Sequence, residues 1–155
     1  MSATRVRQHV RAPRSAVYRA LTDRDAVETW RVPDGMTSRV HEFDVREGGR
    51  FRVSLSYESP AATGKTSAGT DTFHGRFVRL VPDELVLEAL EFETADPRMQ
   101  GEMTVTTRLS DAGAGTDVEL LHEGLPPGVH PEDNELGTRM ALARLAALME
   151  AQAGS

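Results

Sequence analysis

The stretch Glu135 to Ala151, ELGTRMALARLAALMEA, has helical periodicity and lies near the end of the sequence. At about 100° per residue, its apolar side chains gather mainly on one face, together with one threonine. The residues of this face are Thr138, Ala141, Leu142, Leu145, Leu148 and Met149. The stretch therefore predicts a long amphipathic helix, which needs an apolar surface elsewhere in the chain to cover.

The segments before this helix alternate apolar and polar residues, which is the period-two pattern of half-buried strands. In the clearest case, apolar and aromatic residues from Phe51 to Tyr57 alternate with arginine and serine. Gly48-Gly49 and Pro82-Asp83-Glu84 mark turns between such segments. The predicted strands are residues 5–11, 37–46, 50–57, 73–81, 85–92, 103–109 and 118–122, and two short helices, around residues 13–21 and 25–30, follow the first strand.

This order of elements predicts an α+β fold in one domain that spans residues 1–155. Six consecutive strands joined by turns form an antiparallel sheet, which becomes seven-stranded with the first strand and curls as it twists. A single helix touches a curled sheet along one line. We therefore expect an apolar cavity between helix and sheet, of a size that is usually roughly 300–1,000 Å³. A completely packed core is the alternative.

Composition excludes several classes of function. The net charge of −6 disfavours binding to nucleic acid. With no cysteine, the chain has no disulfide, no cysteine-ligated zinc and no thiol nucleophile. No run of eighteen apolar residues exists, and the first residues lead directly into a charged segment. We expect a cytoplasmic protein without a secretory signal and without a membrane partner.

Several short motifs, taken in order along the chain, resemble one protein family. They are Ala12-Pro13, Trp30 with Pro33-Asp34-Gly35-Met36, Phe43-Asp44-Val45-Arg46-Glu47-Gly48-Gly49, Gly75 ahead of Leu80-Val81-Pro82-Asp83-Glu84-Leu85-Val86, and Gly115-Thr116. This set is similar to the activator-of-heat-shock-protein-ATPase homologues, a branch of the START-like (SRPBCC) superfamily. The resemblance implies a helix-grip fold, in which a curved sheet holds a long helix around a hydrophobic cavity.

The resemblance also frames the function. The superfamily includes lipid and hormone carriers, polyketide cyclases and aromatases, and co-chaperones. Members of the branch often carry a Gly-Trp pair at the start of the last helix, where this chain has Gly137-Thr138. A small hydroxyl-bearing side chain in place of an indole is expected to enlarge or wet the mouth of the cavity.

Other motifs in the sequence give little evidence for phosphate binding, metal binding or catalysis. Ser59 to Thr66, SPAATGKT, is similar to a phosphate-binding loop but lacks the first glycine and is followed by a strand, so we interpret it as a polar hairpin loop. His9 and His122 differ in strand parity and should point to opposite faces, which disfavours a metal site. No catalytic residue and no cofactor is assigned.

We expect the cavity to be lined by Trp30, Met36, Phe51, Val53, Tyr57, Phe77, Met103, Val105, His122, Thr138, Leu142 and Leu145. The main hypothesis is a noncatalytic binder of a small hydrophobic molecule, which His122, Tyr57 and Thr138 orient. Two other roles are open for His122. The first is structural, a hydrogen bond to a buried carbonyl. The second is catalytic, as the acid–base group of a polyketide cyclase or aromatase. A chaperone ATPase partner and a homodimer through Leu136 and Met140 are further hypotheses.

Overall fold

The computed structural model describes residues 2–58 and 69–153, so the hairpin-loop interpretation of Ser59 to Thr66 lies outside the described residues. The strands are β1 (Ser2–Val10), β2 (Met36–Phe43), β3 (Arg50–Tyr57), β4 (Thr70–Val81), β5 (Leu85–Phe92), β6 (Met103–Ala112) and β7 (Gly115–Leu125). The helices are α1 (Arg14–Thr22), α2 (Arg24–Trp30) and α3 (Pro131–Ala153). The predicted order of elements is confirmed.

The strands form one antiparallel seven-stranded sheet in the order β1-β7-β6-β5-β4-β3-β2. The sheet curls into a half-barrel, and α3 lies against its concave face, which is the helix-grip α+β fold that the sequence predicts. Residues that face each other across antiparallel strands point to the same side of the sheet. Thr4, His122, Val105 and Glu88 therefore form one row across the concave face.

The last helix begins at Pro131, four residues before the predicted start at Glu135. Proline suits the first turn of a helix, because its missing N–H has no partner there in any case. Glu132 and Asp133 follow it in the first turn, where the helix dipole favours negative charge. This extra turn places Asn134 and Thr138 against the end of the sheet where the cavity lies.

One half of the space under α3 is closely packed. Leu142 and Leu145 are completely buried, and the tilted rings of Phe51 and Phe77 lie with their centroids 5.2 Å apart. Phe43 meets Phe77 edge-on at 5.4 Å. These rings supply the large apolar area that stabilises the core.

Short helix α2 is fixed to the edge strand β2 by two side chains. Glu28 Oε2 accepts a hydrogen bond from the backbone N–H of Val40 at 2.8 Å, and Arg24 donates to the carbonyl of the same residue. The pairing of β2 with β3 is irregular just after Val40. These bonds satisfy edge-strand groups that would otherwise face solvent, and they hold the end of α2, with Trp30, over the sheet.

The turn between β2 and β3 explains its two glycines. Gly48 has a φ of 83°, a left-handed conformation that side chains disfavour. A Cβ on Gly49 would lie 2.0 Å from the carbonyl oxygen of Asp44, so no larger residue fits there. The Gly48-Gly49 turn predicted from the sequence is thus required by both conformation and space.

Candidate functional site

A cavity of about 510 Å³ lies between the concave face of the sheet and the first half of α3. Its strand residues come from the same end of the sheet: Met36 begins β2, Tyr57 ends β3, and Met103 begins β6. The apolar side chains around it are Trp30, Pro33, Met36, Leu55, Phe73, Leu90, Phe92, Met99, Met103, Leu120, Val129, Leu136, Met140, Ala141 and Leu142. Its volume falls in the usual range for small-molecule sites.

Trp30 is both a core residue and a wall of the cavity. Its side chain is only 2% exposed, and its indole Nε1 donates a hydrogen bond to the carbonyl of Ala20 at 2.8 Å. This bond satisfies the polar end of the indole and fixes the ring orientation. Trp30 thus belongs to the core and to the cavity wall at once.

The start of α3 is tied to β1 beside the cavity. Asn134 Nδ2 donates to the hydroxyl oxygen of Thr4 at 2.6 Å, and the hydroxyl of Thr138 donates to the carbonyl of Asn134 at 2.7 Å. Thr138 is buried and lines the cavity, as its position on the helix predicts. The hydroxyl proton of Thr138 is donated to the backbone carbonyl of Asn134. Thr138 therefore presents a methyl group and an acceptor oxygen to the cavity, but no free donor.

His122 lies near the end of β7 and lines the cavity. Its Nδ1 is buried and has no hydrogen-bond partner among the described residues, so the carbonyl bond of the structural interpretation is not formed there. Burial, followed by the positive charge of Arg31, lowers the pKa of His122 from 6.5 to about 4. The imidazole is therefore neutral at pH 7.

Arg31, whose side chain is 22% exposed, forms a largely buried ion pair with Glu88 on the same side of the sheet as His122. The guanidinium Nη1 lies 2.9 Å from Glu88 Oε2, and the Glu88 side chain is 2% exposed. Arg31 lines the cavity, and Glu88 lies behind it on the concave face of β5. This pair was not predicted from the sequence. A glutamate inside the apolar segment Leu85–Phe92 was the signal that could have found it, because a buried carboxylate needs a partner.

The predicted lining residues fall into two groups. Those brought to the cavity are Trp30, Met36, Tyr57, Met103, His122, Thr138 and Leu142. Those packed in the core and absent from the cavity wall are Phe51, Val53, Phe77, Val105 and Leu145. Strand parity predicts the face of a side chain but not its position along the strand. The second group shares the concave side but lies toward the closely packed half.

Leu136 and Met140, expected to lie off the buried face of the last helix, both line the cavity. Leu136 is 54% exposed. Asp34 and Asp133 also line this region and are exposed, and Asp34 forms an ion pair with Arg144 at 3.3 Å. An apolar opening with a charged rim thus leads from solvent to the apolar interior.

The convex face carries a separate charged network. Arg52 donates two hydrogen bonds to the carboxylate of Glu93, at 2.8 and 2.9 Å, and His74 bonds both Glu93 and Glu91. The hydrogen bonds from Arg52 lower the pKa of Glu93 to about 2, against a smaller opposing effect of burial. This network stabilises neighbouring strands, and its groups are partly exposed.

Within residues 2–58 and 69–153, no group of three histidine, aspartate or glutamate side chains is arranged so that it could hold a metal ion. His9 is exposed and bonds Asp117 at 3.0 Å, whereas His122 lines the cavity on the other side of the sheet. No helix in the described parts of the chain has both the length and the apolar character to cross a bilayer.

Comparison with known proteins agrees with this geometry. Residues 11–150 match the family model described as Activator of Hsp90 ATPase homolog 1-like protein. The crystal structure of a Chromobacterium violaceum protein is similar, with 32% identity, a TM-score of 0.85 and 96% of each chain covered. An AHSA1 protein of Silicibacter pomeroyi is 18% identical, with a TM-score of 0.80 over 97% of this chain and 99% of that one. No curated protein matches the sequence.

Proposed function

The chain belongs to the family of Activator of Hsp90 ATPase homolog 1-like proteins, and we propose that it binds a small, mostly hydrophobic molecule between the sheet and α3. The observation that carries this proposal is the cavity of about 510 Å³ with largely apolar walls. A ligand that fills it removes apolar surface from water, which contributes roughly 25 cal/mol per Å².

The cavity walls combine rigid and adaptable side chains. Trp30 is fixed by its bond to Ala20, and Leu142 is completely buried in the core. Met36, Met99 and Met103 contribute flexible thioether chains that can adjust to irregular ligand shapes. Such a site suits an apolar molecule with one or two rings and tolerates variation in its outline.

Titration with a neutral apolar fluorophore, N-phenyl-1-naphthylamine, tests the proposal. We expect saturable binding of one probe per chain, and native mass spectrometry should report the same stoichiometry. Absence of saturable binding by both methods would contradict a ligand-binding cavity. The same spectra give the subunit count, and therefore also test the homodimer hypothesis.

An enzyme acting on a bound aromatic substrate is the second candidate, because a neutral imidazole, that of His122, lines the apolar cavity. Two observations weaken it. A pKa of about 4 makes His122 a weak base at neutral pH, and no side chain among the described residues bonds its buried Nδ1 to orient the ring. Recovery of unaltered ligand after incubation with the protein would favour the binder.

The partner hypotheses receive less support. The exposure of Leu136 and the inward position of Met140 are explained by their place at the opening of the cavity, without a second subunit. A contact with a chaperone ATPase rests on the family description alone. Co-purification with a chaperone, abolished by substitutions on one face, is the result that would support it.

A further inference from the structure

Two hydrogen-bonding side chains form one polar region in the apolar cavity, which we call the polar wall: His122 and Arg31, with Glu88 behind Arg31. On the sheet, His122 pairs with Val105 and Val105 with Glu88, so His122 and Glu88 are two strands apart, about 10 Å. Arg31 reaches Glu88, and its charge also acts on His122. The guanidinium therefore lies at the Glu88 end of this row and lines the same cavity as His122.

The burial of Nδ1 indicates which nitrogen of His122 carries the proton. An N–H group that is buried without a partner is rarer in proteins than an unpaired acceptor. Since Nδ1 of His122 is buried and has no partner in the described chain, we assign the proton of the neutral ring to Nε2. Nδ1 is the only His122 nitrogen found completely buried without a partner, and no described side chain bonds Nε2. Since His122 lines the cavity, we infer that the Nε2–H group is available to a ligand.

Arg31 adds further donors to the same wall. A guanidinium carries five N–H groups and no acceptor, and Glu88 engages only Nη1. The carboxylate of Glu88 also balances the charge of Arg31, so the polar wall as a whole is neutral. It therefore offers N–H donors without a net charge.

These properties select one chemical group. A carbonyl oxygen accepts hydrogen bonds from both His122 and Arg31 and brings no charge. A ligand carboxylate would place a second negative charge near the buried Glu88, and an amine would face the guanidinium of Arg31. Asp71, the other buried carboxyl group at the cavity, lies three strands from His122, on β4.

We propose that the ligand is an apolar carbonyl compound, such as an aryl ketone, whose oxygen accepts hydrogen bonds from Nε2 of His122 and from Arg31. This proposal rests on the proposed function, because it specifies the ligand of the same cavity. The hydrophobic body provides most of the affinity, and the polar wall fixes the orientation and discriminates between polar groups.

Three ligands with one skeleton test it by competition with N-phenyl-1-naphthylamine: 2-acetylnaphthalene, 2-ethylnaphthalene and 2-naphthoate. We expect the ketone to bind about tenfold more tightly than the ethyl compound and the carboxylate more weakly than the ketone. In His122→Phe, which keeps an aromatic ring, the preference for the ketone should fall to about twofold. A single cooperative unfolding transition of this variant in urea shows that it keeps its fold.

The outcomes separate the two proposals. Two results would show that the carbonyl proposal is wrong while the cavity function stands. In the first, 2-ethylnaphthalene binds and the ketone has no higher affinity. In the second, the higher affinity of the ketone persists in His122→Phe. If N-phenyl-1-naphthylamine binds but none of the three competes with it, the carbonyl proposal alone is wrong; if the probe does not bind either, both proposals are wrong. A measurement on the unsubstituted protein is independent of variant folding. Long-range ¹H–¹⁵N spectra of His122 should show the Nε2–H tautomer, and an Nδ1–H tautomer would overturn the assignment.

Discussion

Nη1 of Arg31 lies 2.9 Å from Oε2 of Glu88, and the carboxylate is only 2% exposed, although the two residues are 57 positions apart in the chain. The pair joins the end of α2 to the middle of β5 beneath the cavity. A buried ion pair adds little net stability, because desolvation offsets the attraction, but the loss of one partner leaves an uncompensated charge.

Substitution of Arg31 by methionine should therefore destabilise the protein by about 3–5 kcal/mol, measured by urea unfolding at pH 7. Arg76→Met is the matched control, because Arg76 pairs with Glu102 while both side chains are 53% exposed. Its cost should stay below about 1 kcal/mol. Similar costs for the two variants would show that the Arg31–Glu88 pair is not buried as described.

A tryptophan at position 138 should reduce the volume of the cavity. Thr138 lines the cavity and is buried, so the larger indole in Thr138→Trp must occupy ligand space. We expect at least tenfold weaker binding of N-phenyl-1-naphthylamine. The control is Ala143→Trp, on the exposed face of α3, which should bind the probe normally. Equal affinity of both variants would place position 138 outside the binding space.

His122 should make stability depend on pH in a defined window. Its pKa is about 4 in the folded protein, where burial and Arg31 disfavour the cation, against the usual 6.5. Between these values the unfolded chain binds more protons, so stability rises with pH from 4 to 6.5 and is constant above. The total contribution is about 3 kcal/mol.

Comparison of His122→Phe with the unsubstituted protein isolates this contribution, since the other titrating groups are common to both. The difference in unfolding free energy should change by up to about 3 kcal/mol between pH 7 and pH 4, in favour of the variant at low pH. A difference independent of pH would mean that His122 titrates normally in the fold. Arg31, which pairs with Glu88, is the charged group that lowers the pKa of His122 in addition to burial.

The convex network should respond to acid in a lower window. The hydrogen bonds of Arg52 hold the pKa of Glu93 at about 2, below its usual 4.5. The stabilisation from ionised Glu93 is complete above pH 4.5 and is lost as the pH falls toward 2. Because the group is partly exposed, Glu93→Gln should cost less than about 1 kcal/mol at pH 7. Urea unfolding of the unsubstituted protein and of Glu93→Gln should show that the difference between their unfolding free energies disappears between pH 4.5 and pH 2.

Trp30, the single tryptophan of the chain, provides a direct optical readout of the site because it forms part of the cavity wall. Binding of N-phenyl-1-naphthylamine should quench its emission by energy transfer, with the same midpoint as the probe's own fluorescence increase. In Trp30→Phe the quenching disappears. Different midpoints for the two signals would indicate that the probe binds elsewhere.

Sequence patterns correctly predicted the strands, the turns and the face of the sheet to which side chains point. They did not predict where along the sheet the cavity lies or which distant residues meet. The alternation in Phe51 to Tyr57 and the turn at Gly48-Gly49 depend on neighbouring residues, and both were predicted correctly. Parity assigned Phe77 to the concave side but could not show that the cavity occupies the other end of the sheet. The Arg31–Glu88 pair depends on how α2 docks on a distant strand, which no local pattern records.

The pairing of β1 with β7 has a consequence for how the molecule forms. Val6 lies opposite Leu120 in the sheet. The first strand therefore pairs with a strand that is synthesised more than a hundred residues later, and cannot pair before then. Contacts of such long sequence separation slow folding, because the entropy cost of closing a long loop comes before the favourable energy of the contacts that it brings together. His122, opposite Thr4 in the same ladder, joins the cavity only at this closing step. Ligand-binding ability should therefore be acquired late on the folding pathway, after the hairpins of the other strands.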